Sequence, residues 1–291
     1  MSTNSAIPRR PYGDTGVELS VIAFGGIVVT DTEQDFANRM VAEAFERGIN
    51  YFDVAPGYGN AEIKLGPALK PYRDQAFLAC KTSQREREGA EMEFNRSLER
   101  LHTDHFDLYQ LHGISSVEND VEPVFQKGGV MDMLIEERKA GRIRFLGFSA
   151  HSVEAAFAAM DRFDFDSVLF PLNFAAAYKG GFGPQILKRA QQQGLARLAL
   201  KGMARQLWAE DDAKRGQYNK CWYEPIMDRE LASMALRWTL SQPITAAVPP
   251  GQESLFRMAM DIASEPLEIT DDEVARLKQE ADNLNVIFEA A

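Results

Sequence analysis

Gly48-Ile49-Asn50-Tyr51-Phe52-Asp53-Val54-Ala55-Pro56-Gly57-Tyr58-Gly59 is an apolar run that meets a carboxylate where a strand would end, then turns through proline and glycine to a tyrosine. Asp104-His105-Phe106-Asp107-Leu108-Tyr109-Gln110-Leu111-His112 repeats the pattern and stops on a histidine, and Phe77-Leu78-Ala79-Cys80-Lys81 stops on a lysine. Short runs that are apolar on both faces are what buried parallel strands require. Working outward, eight such runs are expected, at 21–24, 51–54, 77–81, 106–111, 143–149, 167–172, 196–201 and 245–249.

Segments with helical spacing lie between them. In 33–47, Phe36, Met40, Val41, Ala44 and Phe45 form one stripe, and Gly48 follows as a helix C-cap. Residues 88–101 bring Phe94, Leu98 and Leu101 together, and 224–240 and 271–288 are the other long segments. Thr270 with Glu273 reads as a capping box that opens the last helix. Eight strand–helix alternations predict a closed (β/α)8 TIM barrel, preceded by a β-hairpin at 10–19 that plugs the barrel floor and followed by a C-terminal helix. Residues 1–291 are expected to form a single barrel domain, since no break in composition divides them. The rival, an open nucleotide-binding sheet, would carry Gly-x-Gly-x-x-Gly after an early strand, and neither Gly25-Gly26 nor Gly180-Gly181-Phe182-Gly183 matches it.

At 45% hydrophobic, 291 residues can bury a large core. Residues 1–10 have no apolar stretch behind their charges and are read as no signal peptide. No run is long enough to span a bilayer. Two cysteines, Cys80 and Cys221, without metal-ligand spacing, argue against a disulfide scaffold and a metal site and fit a cytoplasmic location. A formal net charge of −11 argues against nucleic acid as a partner. Nothing in the pattern sets an oligomeric state.

In a barrel of this kind the chemistry sits at the C-terminal ends of the strands. The polar residues expected there are Asp53, Tyr58, Lys81, His112, Ser149, Asn173 and Lys201. A phenol with a pKa of about 10 is a poor acid near neutrality, and an ammonium beside it stabilises the phenolate and lowers that value. Asp53 would hold Lys81 charged, and His112 would hydrogen-bond a carbonyl oxygen. Tyr58 would then give its proton to that oxygen while a hydride reaches the carbon. No side chain supplies a hydride, so a nicotinamide cofactor is implied.

The same segments resemble the aldo-keto reductase family. Residues 48–59 are similar to its strand-two signature, Lys81 stands where the family lysine stands, and Ser97-Leu98-Glu99-Arg100-Leu101-His102-Thr103-Asp104 leads to His112 as in the family. Gly141-Arg142-Ile143-Arg144-Phe145-Leu146-Gly147-Phe148-Ser149 resembles the strand-five signature. The resemblance runs from about residue 10 to about residue 265. It implies a (β/α)8 barrel that reduces a small aldehyde or ketone with NADPH, or alternatively NADH. Asp53, Tyr58, Lys81 and His112 would be catalytic, and Ser149, Asn173, Lys201, Gly251 and Arg257 would bind the cofactor.

The chain departs from the family at several of these positions. Ala150-His151 follows Ser149 where an asparagine is usual, and Leu200 stands where many members stack a tyrosine on the nicotinamide, with Lys201 next. Gly251 replaces the lysine, and Arg257 keeps the arginine, that many members place around a 2′-phosphate. Glu253 lies between them, and the adenine-side asparagine is Asp261.

Taken alone, Asp53 could be a solvated strand cap, His102 and His105 surface residues, and Cys80 packing. The polar connection 201–223 carries Trp208, Trp222 and Tyr223 and is expected to cover the site as a lid. Two other functions use the same residues differently. A nicotinamide-binding regulatory module with little turnover would not need all four groups. A barrel isomerase or aldolase would need a Schiff-base lysine or a metal cluster, and no such spacing stands out.

Overall fold

The computed structural model describes residues 6–290. Residues 1–5, half of the segment read for a signal peptide, and residue 291 lie outside the described residues. Strands β1 (Arg9–Pro11) and β2 (Glu18–Ser20) pair antiparallel as the expected hairpin. Eight further strands form one parallel sheet. They are β3 (Phe24–Gly25), β4 (Tyr51–Asp53), β5 (Phe77–Thr82), β6 (Phe106–Ile114), β7 (Ile143–Ala150), β8 (Ser167–Pro171), β9 (Ala196–Leu200) and, after a two-stranded excursion, β12 (Ala246–Val248). Neighbours follow chain order from β3 to β9, with β12 beside β9. A parallel bridge from Ile22 to Ala247, with Ala23 N–H donating to Ala247 O and Ala247 N–H to Val21 O, both at 2.9 Å, joins the two ends and closes the barrel. Each of the eight expected strands is present.

Alternate residues of each strand point inward. Tyr51, Phe77, Ala79, Leu108, Phe145, Leu169, Ala196, Leu198 and Ala246 fill the lower interior, together with Tyr12 and Leu19 of the hairpin. The Tyr12 ring packs at 5.1 Å from Phe77 and 5.3 Å from Phe145, so the hairpin does plug the floor. Helices wrap the outside and bury a second, larger core against the sheet. Gln34–Glu46 is the expected first long helix, ended by Gly48 at φ +97. Thr270 accepts from Glu273 N–H at 3.3 Å, and Thr270 N–H donates to Glu273 Oε2 at 2.9 Å, which completes the capping box.

Two helix expectations are corrected. The segment 224–240 does not start as helix: Glu224–Pro225 forms β11 against β10 (Ala204–Gln206), and the helix is Arg229–Ser241, capped by the Asp228 carboxylate accepting from Leu231 N–H at 2.9 Å. The capping carboxylate outweighs the apolar spacing upstream of it. The last helix, expected to run to 288, is Asp271–Ala281. Asp282-Asn283-Leu284-Asn285 then has weak helix propensity. The chain beyond it crosses toward the barrel mouth, where Phe288 packs on Phe182 and His151. No helix among the described residues is long and apolar enough to cross a membrane.

Tyr12 is wholly buried, and among the described residues its hydroxyl has no partner within hydrogen-bonding geometry. Tyr12→Ala should destabilise the protein by about 3–5 kcal/mol through the cavity it leaves, while Tyr12→Phe should stay within about 1 kcal/mol of wild type. Urea unfolding of the three proteins measures both.

Candidate active site

The inward layer above the apolar floor is polar. Asp53 ends β4, Lys81 lies near the end of β5, and Gln110 lies on β6, all buried. The Lys81 ammonium is ion-paired with Asp53 Oδ1 and lies 3.4 Å from Val54 O. Asp53 Oδ2 accepts from the Tyr51 hydroxyl at 3.2 Å and from Gln110 Nε2 at 3.5 Å. Both carboxylate oxygens are therefore held, and the pair is buried with partners on each side, which is what a buried ion pair requires. Burial is the largest single influence and works against the Lys81 charge, but the Asp53 charge and hydrogen bond, with smaller help from Tyr58 and Cys80, together raise the ammonium above its ordinary pKa.

Tyr58 reaches this pair from a tight turn. Its N–H donates to Ala55 O at 3.0 Å, and its carbonyl accepts from the Thr30 hydroxyl at 3.1 Å and from Ala61 N–H at 3.0 Å, at the start of helix Ala61–Leu69. Lys81 Nζ lies 5.3 Å from the centre of the Tyr58 ring. The His112 ring stands edge-on to the same ring at 5.7 Å. The expected lowering of the phenol pKa is not the net result. Burial raises it, the Lys81 charge pulls it back, and Asp53 adds to the rise. Tyr58 is accordingly a protonated phenol through the neutral range. His112 is pushed down to about 3 by burial, then by Lys81, His151 and Arg85, so its imidazole is neutral.

His112 owes its position to a bulge. Leu111 pairs with Phe148 and Ile114 with Ala150, so His112 and Gly113 together oppose Ser149 alone. Gly113 adopts φ +67, and its freed N–H donates to Ser149 Oγ at 2.8 Å. Arg85 holds the His112 carbonyl at 2.8 Å. The bulge re-aims the imidazole toward the barrel mouth.

These groups line one cavity of about 310 Å³ at the C-terminal mouth, together with Gly25, Ile27, Ser149, His151, Leu200, Lys201, Val248 and Gly251. Lys220, Trp222 and Tyr223 of the long connection form one wall, in keeping with its expected place over the site. Trp222 is 53% exposed, whereas Trp208 is buried with its indole N–H on Cys221 O at 2.9 Å and does not face the cavity. Lys220 Nζ donates to Val28 O at 2.8 Å and ties this wall across the mouth to the loop after β3.

The structure brings Asp53, Tyr58, Lys81, His112, Ser149, Lys201 and Gly251 to that one cavity. Asn173 and Arg257 are not among its lining residues. Asn173 Oδ1 caps helix Phe174–Tyr178 by accepting from Ala176 N–H at 2.8 Å, while its buried Nδ2 has no acceptor among the described residues. Arg257 is paired with Glu43 and, at 3.2 Å, with Glu253. Asp261 is paired with Arg47 at 2.6 Å. The sequence reading missed Tyr51, Gln110 and Lys220. Tyr51 and Gln110 stand two residues before Asp53 and His112 on the same strand faces, a signal that period-two alternation carries. For Lys220, in a polar loop, the sequence holds no signal.

The aldo/keto reductase family pattern matches residues 21–219. The chain belongs to that family. Its members are oxidoreductases that use nicotinamide cofactors. Aldo-keto reductase YhdN of Bacillus subtilis (strain 168) is 34% identical over 160 residues, covering 48% of this chain and 46% of that protein. The chain thus spans about half the length of that relative. The uncharacterized oxidoreductase YqkF of the same organism is 25% identical over 300 residues, covering 93% of this chain and 95% of that one. The holo form of aldo-keto reductase AKR11C1 from Bacillus halodurans superposes with a TM-score of 0.72 at 20% identity, covering 94% of this chain and 96% of that one, which is a likeness of fold.

Asp53→Asn should cost about 3–5 kcal/mol of stability, because it leaves the buried Lys81 ammonium without its counter-charge. Asp53→Leu combined with Lys81→Met should recover most of that loss. Urea midpoints of the two variants against wild type check the pair.

Proposed function

We propose that this protein reduces a small aldehyde or ketone to an alcohol, with NADPH as hydride donor and Tyr58 as proton donor. The observation that carries this reading is a protonated phenol, a buried ammonium and a neutral imidazole meeting on one cavity wall. The nicotinamide, when bound, supplies the hydride. The chain's own residues do the rest. Tyr58 holds a proton that leaves only as charge builds on the carbonyl oxygen. Lys81, kept charged by Asp53, stabilises the phenolate that results. His112, neutral near physiological pH, donates an N–H to the same oxygen and orients it. Burial that raises the Tyr58 pKa keeps the proton in place until it is needed.

The donor set fits a nicotinamide carboxamide. Ser149 accepts from Gly113 N–H and so keeps its own O–H to give, and Asn173, behind the cavity lining, has a buried Nδ2 with no acceptor among the described residues. At Gly251 a Cβ would collide with the Ile27 side chain, so glycine lets the ends of β12 and β3 close on one side of the groove. Lys201, Gly251 and Arg257 complete the proposed cofactor residues. Two buried free cysteines, Cys80 and Cys221, support a reducing cytoplasm as the location, with the chain acting as one barrel domain.

Loss of dihydronicotinamide absorbance on mixing the protein, NADPH and an aldehyde tests the reaction. Tyr58→Phe should lower kcat by a factor of about 10² or more with the cofactor Kd unchanged. Turnover within a few-fold of wild type would remove Tyr58 from the chemistry.

NADH has an observation of its own. Arg257 is already neutralised by Glu43 and Glu253, so a 2′-phosphate must displace a carboxylate to reach it. The expected result is tighter binding of NADPH than NADH, and a loss of about tenfold in NADPH affinity alone on Arg257→Ala. Equal affinities for the two cofactors in the wild-type protein would assign NADH instead. Isothermal calorimetry on both proteins decides between them.

A further inference from the structure

Lys201 stands at the end of β9 with φ +66, a left-handed conformation that side-chain-bearing residues seldom adopt. Its ammonium lines the cavity, yet no carboxylate or hydrogen-bond acceptor reaches it among the described residues. Its neighbours are two aromatic rings, Trp222 at 5.1 Å and Tyr223 at 4.5 Å from Nζ to the ring centres. Rings of this kind share a cation's charge without neutralising it.

The rest of the cavity sharpens the point. Among the described residues Asp53 is the one carboxylate that lines it, and it is committed to Lys81. Lys220 is committed to Val28 O. The other titratable groups with an ordinary cationic form are His112 and His151. In a chain with 43 acidic residues against 32 basic ones, no spare carboxylate among the described residues faces this space. Burial pushes Lys201 down to about 8, and His151 is pushed down to about 4 by burial and then by the Lys201 charge. A negative group beside Lys201 would relieve both.

We propose that Lys201 anchors an anion subsite on the β9 side of the cavity, which takes a carboxylate or phosphate oxygen. Along the rim, His151 after β7 stands between this subsite and His112 on β6. The anion has two sources, the diphosphate of the cofactor or an acidic group on the carbonyl substrate. The assignment of a source rests on the function proposed above, whereas the subsite itself does not.

The probe for the subsite is inorganic diphosphate, titrated into the cofactor-free protein and followed by tryptophan fluorescence, since Trp222 overlies the ammonium. Lys201→Met and Lys201→Gly should each weaken binding by about tenfold or more, and Lys201→Arg should stay within a few-fold of wild type. Glycine suits the left-handed backbone, so that variant removes the charge without straining the fold. Two further measurements separate the sources. A weakened NADPH Kd with an unchanged preference for 4-carboxybenzaldehyde over 4-methylbenzaldehyde assigns the cofactor diphosphate. A lost preference in kcat/KM with an unchanged NADPH Kd assigns the substrate. Wild-type protein that binds no diphosphate, or binding that survives both Lys201→Met and Lys201→Gly, overturns the subsite. The diphosphate titration needs no turnover, so a protein that reduced no carbonyl would fail the proposed function and still test this inference.

Discussion

The buried ion pair between Lys81 and Asp53 sets the terms for everything around it. Two charges inside a barrel are tolerable only if each is met, because desolvation costs more than distant charges return. Asp53 therefore faces Lys81 with one oxygen and Tyr51 and Gln110 with the other. That requirement makes the upper inward layer polar across β4, β5 and β6 while the layer below stays apolar. It also places an ammonium under the Tyr58 ring and a positive field beside His112. One pair thus accounts for the retained ammonium, part of the suppressed imidazolium and the counter-pull on the phenol.

Barrel closure is what lets those groups converge. The Ile22–Ala247 bridge brings β12 beside β3, so that Gly25, Val248 and Gly251 share a wall with residues from the opposite arc. The Tyr12 plug packs the floor against Phe77 and Phe145, and the strand-end groups face the C-terminal mouth. At that mouth, irregular backbone does the aiming. The bulge at His112 and Gly113 and the left-handed turn at Lys201 each break a regular strand end, and both breaks deliver a nitrogen-bearing side chain to the cavity. Asp31 and His102 are left-handed too but lie away from the cavity, so it is the side chains delivered, not the strain alone, that mark the site.

Charge is distributed unevenly over this molecule. The surface is laced with arginine–carboxylate pairs, many of them exposed and worth little each. Arg257 belongs to that lattice through Glu43 and Glu253. The cavity differs, holding one paired carboxylate and several nitrogen bases. An acidic protein with a basic interior pocket favours negative ligands inside it while repelling them from its general surface.

The eight strands, the hairpin, the capping box and the residues at the strand ends were legible in the sequence because they rest on local patterns. Alternation and apolar run length reveal a buried strand, and a polar residue at its end is a short-range signal. Asp53, Lys81 and His112 could be read that way one strand at a time. The misread helices, 224–240 and 271–288, fail for a related reason: apolar spacing runs beyond the points where Asp228 starts one helix and Asp282-Asn283 ends the other. Tertiary structure alone decided which strand ends meet, that Gln110 serves Asp53, that Trp222 faces the cavity and Trp208 does not, and that Arg257 is held by Glu43, 214 residues away in the chain. It also decided the net direction of the Tyr58 pKa, since burial and two opposing charges from different strands had to be weighed together. These are long-range matters. A sequence displays each residue's own preferences, whereas desolvation, pairing and bulge geometry depend on neighbours that only the closed barrel brings within reach.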